Sequence, residues 1–443
     1  MATAPTHMIR DTQDALTGLG DLVQLRRVVS SWSGSWPKDH GPCPIHAMMI
    51  TLGRIDTVNV AFGETAGDGA LVEVAHRIRH FANDELESFP WLAARLSGST
   101  FMLVTRAQTS TDRWQWLAEA LADALAAPIA NPDGNSSMRL WPRIALMRAG
   151  ENDDLDTILD RLSEVSALMR QSPGRRIEWS SGSVESSGRS NIELESDLLI
   201  AIDRDEIEIL FQPQYSLVDG RMIGAEALAR WHHPIVGRIG AAALFNIAER
   251  ADHVAHLSRH IAERALEAAK LWPYSLRLSL NITPSDLAVD NFAIDFARMA
   301  ERVGFPLSRV TLEITEQVLL DDLDRVSHVL QQLKILDVRI ALDDFGAGFC
   351  NFRYLKVLPI DCIKLDRSMV EGVLDDERDR AVFRAIMGMA KALDLRVMVE
   401  GIETEAQRDF VAAEDCEYYQ GFLSAEPMPL HAFLNAAMRS PQR

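Results

Sequence analysis

What most constrains this chain is a rhythm in its C-terminal part. Between Glu208 and Leu423, short β-branched or apolar runs alternate with amphipathic stretches of helical period. Eight runs are distinguishable: Glu208–Leu217, Met222–Trp231, Leu276–Ile282, Val310–Thr315, Arg339–Asp344, Cys362–Asp366, Arg396–Gly401 and Tyr418–Leu423. Helical stretches such as Ala241–Arg250, Ala262–Lys270, Asp321–Leu336 and Arg378–Ala392 separate most of them. Strands alternating with helices bury their apolar faces as a parallel sheet covered by helices. Eight such units within ~250 residues predict a (β/α)8 barrel. The first two runs are joined only by Val218-Asp219-Gly220-Arg221. That link is too short for a crossover, so it predicts a hairpin and one antiparallel strand in the barrel.

Upstream of the rhythm, Ser172 to Ser190 is rich in Ser and Gly and nearly free of large apolar residues. It reads as a linker, and Ser190-Asn191-Ile192-Glu193 reads as a capping box that starts the next helix. The expected division is residues 12–170, a linker at 171–190, and a domain at 191–440. A chain of 443 residues with 47% hydrophobic and 25% charged residues is an ordinary globular one. Its net charge of −19 gives no basic surplus for DNA, so no direct DNA binding is expected. Cys43, Cys350, Cys362 and Cys416 lie far apart and form no metal-binding or disulfide pattern. No apolar run is long enough for a membrane span, and Met1 to Gln13 lacks a signal-peptide core. A cytoplasmic location is the expectation.

The active site of such a barrel lies where its parallel strands end. Here those ends are polar: Glu226 and Arg230, Asn281, Glu313 and Glu316, Asp343 and Asp344, Lys364 and Asp366, Glu400, and Gln420. Converging carboxylates repel one another and resist ionisation unless a cation neutralises them. An all-oxygen ligand set of this kind suits Mg²⁺ or Mn²⁺. Adjacent Asp343 and Asp344 could serve two ions, an arrangement suited to phosphodiester cleavage.

These residues resemble a known family. Glu226-Ala227-Leu228 followed by Ala229-Arg230-Trp231 resembles the signature of EAL domains, the cyclic di-GMP phosphodiesterases. The resemblance runs from about Leu198 to Leu434 and includes Asn281-Ile282-Thr283, Leu312 to Glu316, Leu342 to Gly346, Lys364-Leu365-Asp366, Glu400 to Glu403 and Gln420-Gly421-Phe422. It implies a TIM-like barrel with one antiparallel strand, acting as a two-metal phosphodiesterase that yields linear 5′-pGpG. By resemblance, Glu226, Asn281, Glu313 and Asp343 would hold a first Mg²⁺ or Mn²⁺, and Asp343, Asp344 and Glu400 a second. Lys364 would hold the attacking water or the developing charge, with Glu400 alternatively a general base. Gln212, Arg230, Asp366 and Gln420 would line the substrate pocket. Glu316 would steady the loop from Asp344 to Asn351, where Ala347, Phe349, Cys350 and Asn351 depart from the family's usual sequence. A second departure is Gly240-Ala241, where Ser-Pro is usual. The resemblance also implies a homodimer through the barrel. The alternative within the family is a receptor that binds cyclic di-GMP without hydrolysing it.

The N-terminal part resembles a GGDEF domain, an α/β fold of the nucleotidyl cyclase type. Asp14 to Leu19 resembles its opening, and Asn59, Gly63, Gly67, Asp68 and Leu71 fit its nucleotide-site pattern. The name-giving motif falls on Ser97-Gly98-Ser99-Thr100-Phe101, and the earlier metal-binding positions are Thr51 and Gly53. Phosphoryl transfer from GTP needs Mg²⁺ held by carboxylates. A domain degenerate at these positions is expected to be a scaffold or regulator rather than a cyclase. Asn59 and Asp68 remain as guanine-contacting candidates, with GTP as a possible ligand.

Overall fold

The computed structural model of the chain describes all residues except 1–12, 38–40, 131–136, 151–152, 172–175, 181–190, 290, 316–322, 347–353 and 440–443. The chain divides into two compact units, one of residues 1–194 with 233–246, the other of 195–232 with 247–443.

The first unit holds β1 (Ile45–Gly53), β2 (Trp91–Ser97), β3 (Thr100–Arg106), the short pair β4 (Ile129–Ala130) and β5 (Ser137–Met138), β6 (Trp141–Arg148) and β7 (Ile177–Trp179). Its main sheet has the order β2-β3-β1-β6-β7. Central β1 reads IHAMMITLG and is buried almost throughout, because helices cover both faces of the sheet. Alternate residues serve each face. Ala47 and Met49 pack with Leu25, Val29, Ile158 and Leu162, on helices Leu22–Ser35 and Leu155–Gln171. His46 meets Trp114 of helix Thr111–Ala126, with ring centroids 5.2 Å apart. Asp21 and Ser110 cap their helices by accepting from the amides of Gln24 and Arg113. Within the segment that the sequence reads as a linker, Ile177–Trp179 instead forms an edge strand, parallel to β6. Two bulky apolar residues flanking Glu178 make that strand, and Trp179 Nε1 donates to Gln115 at 2.8 Å.

Gly240 also belongs to the first unit. Its amide donates to Glu85 Oε1 at 2.8 Å, and the Ala242 amide to Asp84 Oδ2 at 3.2 Å. These carboxylates stand at the start of helix Ala241–Arg250, where an N-cap side chain would otherwise act. A Cβ at position 240 would meet the Asp84 carboxylate, which would have to swing aside.

The second unit is a barrel built from β8 (Ile207–Ser216), β9 (Met222–His233), β11 (Arg277–Asn281), β12 (Val310–Thr315), β13 (Arg339–Phe345), β14 (Cys362–Leu365), β15 (Arg396–Val399) and β16 (Tyr418–Tyr419). A short strand, β17 (Met428–Pro429), extends the sheet beside β8, while β10 (Gly237–Ile239) falls in the 233–246 segment grouped with the first unit. β8 closes the barrel by pairing with both β9 and β16, antiparallel to each. The other barrel pairings are parallel. The predicted barrel and its antiparallel strand are both present.

The alternation along each strand decides what the barrel contains. Leu278, Leu312, Ile340, Leu342, Ile363 and Val397 join one core with helix residues such as Phe296, Met299, Leu330 and Leu333. The hydrophobic core therefore lies between sheet and helices. The opposite face carries Ser279, Glu313, Asp343 and Lys364, all buried, so the barrel interior is polar rather than filled with branched aliphatics.

Candidate active site

Lys364, on β14, is 1% exposed and stands among four carboxylates. Its Nζ lies 2.5 Å from Glu313 Oε2, 2.7 Å from Glu400 Oε1, 3.1 Å from Asp343 Oδ1 and 3.4 Å from Glu226 Oε2. The strand register brings them together: Asn281 pairs with Glu313, and Thr315 with Asp343. Flanking Ile363 and Leu365 belong to the outer core, which turns Lys364 inward.

Amide side chains fix Glu226. Asn281 Nδ2 donates to its Oε1 at 2.7 Å, and Gln420 Nε2 to its Oε2 at 2.8 Å. Gln420 also donates to Gln212 Oε1 at 2.9 Å, linking three strands or strand ends. Burial alone would raise the Glu226 carboxyl, but Lys364 and these amide donors outweigh it and hold it below the ordinary value. Glu313 goes the other way, pushed up to about 8 by burial and the charges of Glu226 and Asp343, despite Lys364. Burial likewise raises Asp343 and Glu400, again against Lys364. Desolvation and the neighbouring Asp343 push Asp344 up to about 8. Lys364 is held well above its usual range by the four carboxylates, against the effect of burial. One ammonium does not balance this much negative charge.

Asp343 and Asp344 pose a geometric problem, because neighbours on a regular strand point to opposite faces. The strand is not regular there. Its register with β14 shifts between Leu342 and Phe345, and Asp344 has φ +56°. Asp is among the few residues that tolerate this left-handed conformation. The bulge re-aims the second carboxylate. Two carboxylate triads result: Glu226, Glu313 and Asp343, and Asp343, Asp344 and Glu400. Within each triad one oxygen per residue lies within 4.8 Å of the others, a donor set that could hold a metal ion.

Arg230 lies four residues beyond Glu226 on the same face of β9, buried, its Nη1 donating to the Ala229 carbonyl at 2.9 Å. Asp366 follows β14 and accepts from the Ser368 amide at 2.9 Å. Glu316 and the loop residues Ala347, Phe349, Cys350 and Asn351 lie outside the described residues. In the first unit, Asn59 is half-buried against Gly67, and Asp68 is exposed on helix Glu64–Glu85. Ser97 to Phe101 form the β2–β3 hairpin, with Gly98 at φ +52°. Thr51 is buried near the end of β1. The polar layers beneath the triads, including Gln214, Ser279 and Thr311, are absent from the sequence-based site. A period-two reading from Gln212, Asn281 and Glu313 along their strands finds them.

The comparisons agree with this architecture. The EAL domain family matches residues 195–427, and the diguanylate cyclase GGDEF domain family matches residues 12–172. The chain belongs to the EAL domain family and carries a GGDEF-family domain ahead of its barrel. A protein of Pseudomonas aeruginosa named bifunctional diguanylate cyclase/cyclic di-GMP phosphodiesterase MucR is 31% identical over 395 residues, 87% of this chain and 56% of its own. Cyclic di-GMP phosphodiesterase NbdA of the same organism is 28% identical over 424 residues, 95% of this chain and 53% of its own. The chain thus spans little more than half the length of these relatives. A solved PaMucR phosphodiesterase in complex with c-di-GMP is 31% identical, with TM-score 0.52, over 55% of this chain and 100% of that one. The Vibrio cholerae LapD S helix-GGDEF-EAL structure, at 18% identity and TM-score 0.52 over 94% of this chain and 96% of that one, shares the fold.

Proposed function

We propose that the barrel hydrolyses cyclic di-GMP to linear 5′-pGpG with Mg²⁺ or Mn²⁺ held by the two carboxylate triads. The observation that carries this reading is the convergence of five carboxylates from β9, β12, β13 and the end of β15, two triads sharing Asp343, around Lys364. The donors are all oxygen, as hard divalent cations require. Glu226, Asn281, Glu313 and Asp343 would hold one ion, and Asp343, Asp344 and Glu400 the other. Bound there, such ions supply neutralisation of phosphate charge and a more acidic water. The names of the relatives MucR and NbdA support the substrate.

The side chains of this chain have distinct tasks in that reaction. Asn281 and Gln420 hold Glu226 ionised and aligned. Lys364 keeps a positive charge beneath the reacting phosphate, where negative charge develops. Arg230 and Gln212 orient the substrate, the guanidinium by bonding phosphate oxygens. Asp366 would line the same pocket. The first unit serves as scaffold or regulator without cyclase activity, because Thr51, Gly53, Ser99 and Thr100 supply no carboxylate for a nucleotide-bound metal.

The test is product analysis with purified protein. pGpG should accumulate with Mg²⁺ or Mn²⁺, stop with EDTA, and be poorly supported by Ca²⁺, whose longer and looser coordination spoils a two-ion site. Glu226→Ala should lose most of the activity, ~100-fold or more on the scale of removing a group aimed at the transition state. Turnover that survives EDTA, or is unchanged in Glu226→Ala, would overturn the assignment. Tight binding without any product would leave the receptor reading instead.

A further inference from the structure

The opposite end of the barrel has a chemistry of its own. A cavity of about 1150 Å³ opens there, and its walls include Arg277, Arg339 and Arg396. Each begins a strand, β11, β13 and β15, four residues before Asn281, Asp343 and Glu400 respectively. Four residues of strand span ~13 Å, so the arginines stand well below the carboxylate triads. Alternate strands contribute side chains to the same layer of a barrel. The three guanidinium groups therefore encircle one mouth. Gln214, Ser279 and Thr311 continue the polar lining inward, and Glu313 and Lys364 form its inner end.

Acids line this mouth as well, but the arginines are not paired with them. Arg277 donates to the carbonyls of Ser308 and Val310 and to the Thr311 hydroxyl. Arg396 donates to the Tyr418 hydroxyl at 2.9 Å. Among the described residues none of the three forms a salt bridge with a carboxylate. The acids near the mouth are engaged elsewhere: Asp361 with Lys334, Glu414 with Arg384, Asp415 with Lys391, and Glu417 with the Val397 amide. Asp394 is exposed at the rim. Burial, joined by the adjacent Arg339 charge, pushes Arg277 down to about 10, although Asp337 and Asp361 act the other way. In a chain of net charge −19, such a cluster asks for an anionic counterpart.

We propose that the N-terminal mouth of the barrel is a second ligand site, binding a multivalent oxoanion of the phosphate class between Arg277, Arg339 and Arg396. Guanidinium forks match tetrahedral oxoanions, and the cavity has room for a diphosphate. The arginines stand at the other end of the polar interior from the carboxylate mouth, whose charge repels anions when no metal is present.

Pyrophosphate is the probe, titrated calorimetrically into the full chain in EDTA at low ionic strength, where the triads hold no metal. Saturable one-to-one binding is expected, weakened at least five-fold in Arg339→Gln and, independently, in Arg396→Gln. Both positions are exposed, so the variants should melt like the wild type without ligand. Arg298→Gln, on a helix outside the cavity, should bind like the wild type. No saturable binding, or equal binding in wild type and both cavity variants, overturns the proposal.

Discussion

At the residue scale, Lys364 is the group on which the metal-free site depends. Removing a buried charge partner typically costs about 3–5 kcal/mol, because the opposing charges are left uncompensated. Lys364→Met should therefore be less stable than the wild type in EDTA by that order, and Mg²⁺ should recover more stability in the variant. Urea unfolding with and without Mg²⁺ measures both; equal responses would mean that the ammonium and divalent ions do not share the same carboxylates. His46 provides a separate pH signal in the first unit. Burial, aided by Arg148, pushes its imidazole down to about 4 from an ordinary value of 6.5. The unfolded chain takes up this proton first, so stability is intact above about pH 6.5 and falls toward pH 4, by up to ~3 kcal/mol. His46→Phe, which can still pack on Trp114, should flatten that slope in thermal melts; an unchanged slope assigns the pH effect to other groups. Individual site residues were legible in the sequence because they are polar residues set on otherwise apolar strands or at their ends. The opposite pKa shifts of Glu226 and Glu313 were not, since they arise from amide donors on other strands.

Elements differ in how far sequence reveals them. The barrel strands stand out because each has one outer apolar face and a polar inner one, a contrast period-two reading detects. Ile177–Trp179 was missed because three residues inside a Ser- and Gly-rich stretch carry too little pattern; pairing with β6 makes them a strand. The bulge at Asp344 is likewise invisible as periodicity, although two adjacent carboxylates needed at one site are its only hint. Close strand approach offers a test at this scale. A Cβ at Gly224 on β9 would run into the Arg277 backbone of β11. Gly224→Ala should cost about 1–3 kcal/mol, as overpacking does, and lower phosphodiesterase turnover by shifting Glu226 two residues away. A variant with wild-type stability and turnover would show that the two strands yield without moving the site.

At the scale of the whole molecule, the chain divides into two compact units, with residues 233–246 grouped with the first. We expect a homodimer through the barrel; light scattering at micromolar protein should give about twice the chain mass of 49.3 kDa, and a fully active monomer would contradict it. GTP, tested beside ATP at fixed free Mg²⁺, should raise cyclic di-GMP hydrolysis if the first unit biases the barrel between two states. An equal response in Asp68→Ala would remove Asp68 from that role. Among the described residues no helix is long and apolar enough to cross a membrane. The closure of the barrel has a consequence for its birth on the ribosome. Ser216 on β8 pairs with Tyr418 on β16, 202 positions later (418 − 216). At a synthesis rate of 5–20 residues per second, β8 waits ~10–40 s for its neighbour. Throughout that interval the nascent hairpin of β8 and β9 presents an unpaired edge, the kind of surface on which chains associate wrongly. Slowing translation between these strands should lower the yield of folded protein, whereas the same pause placed after Pro429 should not.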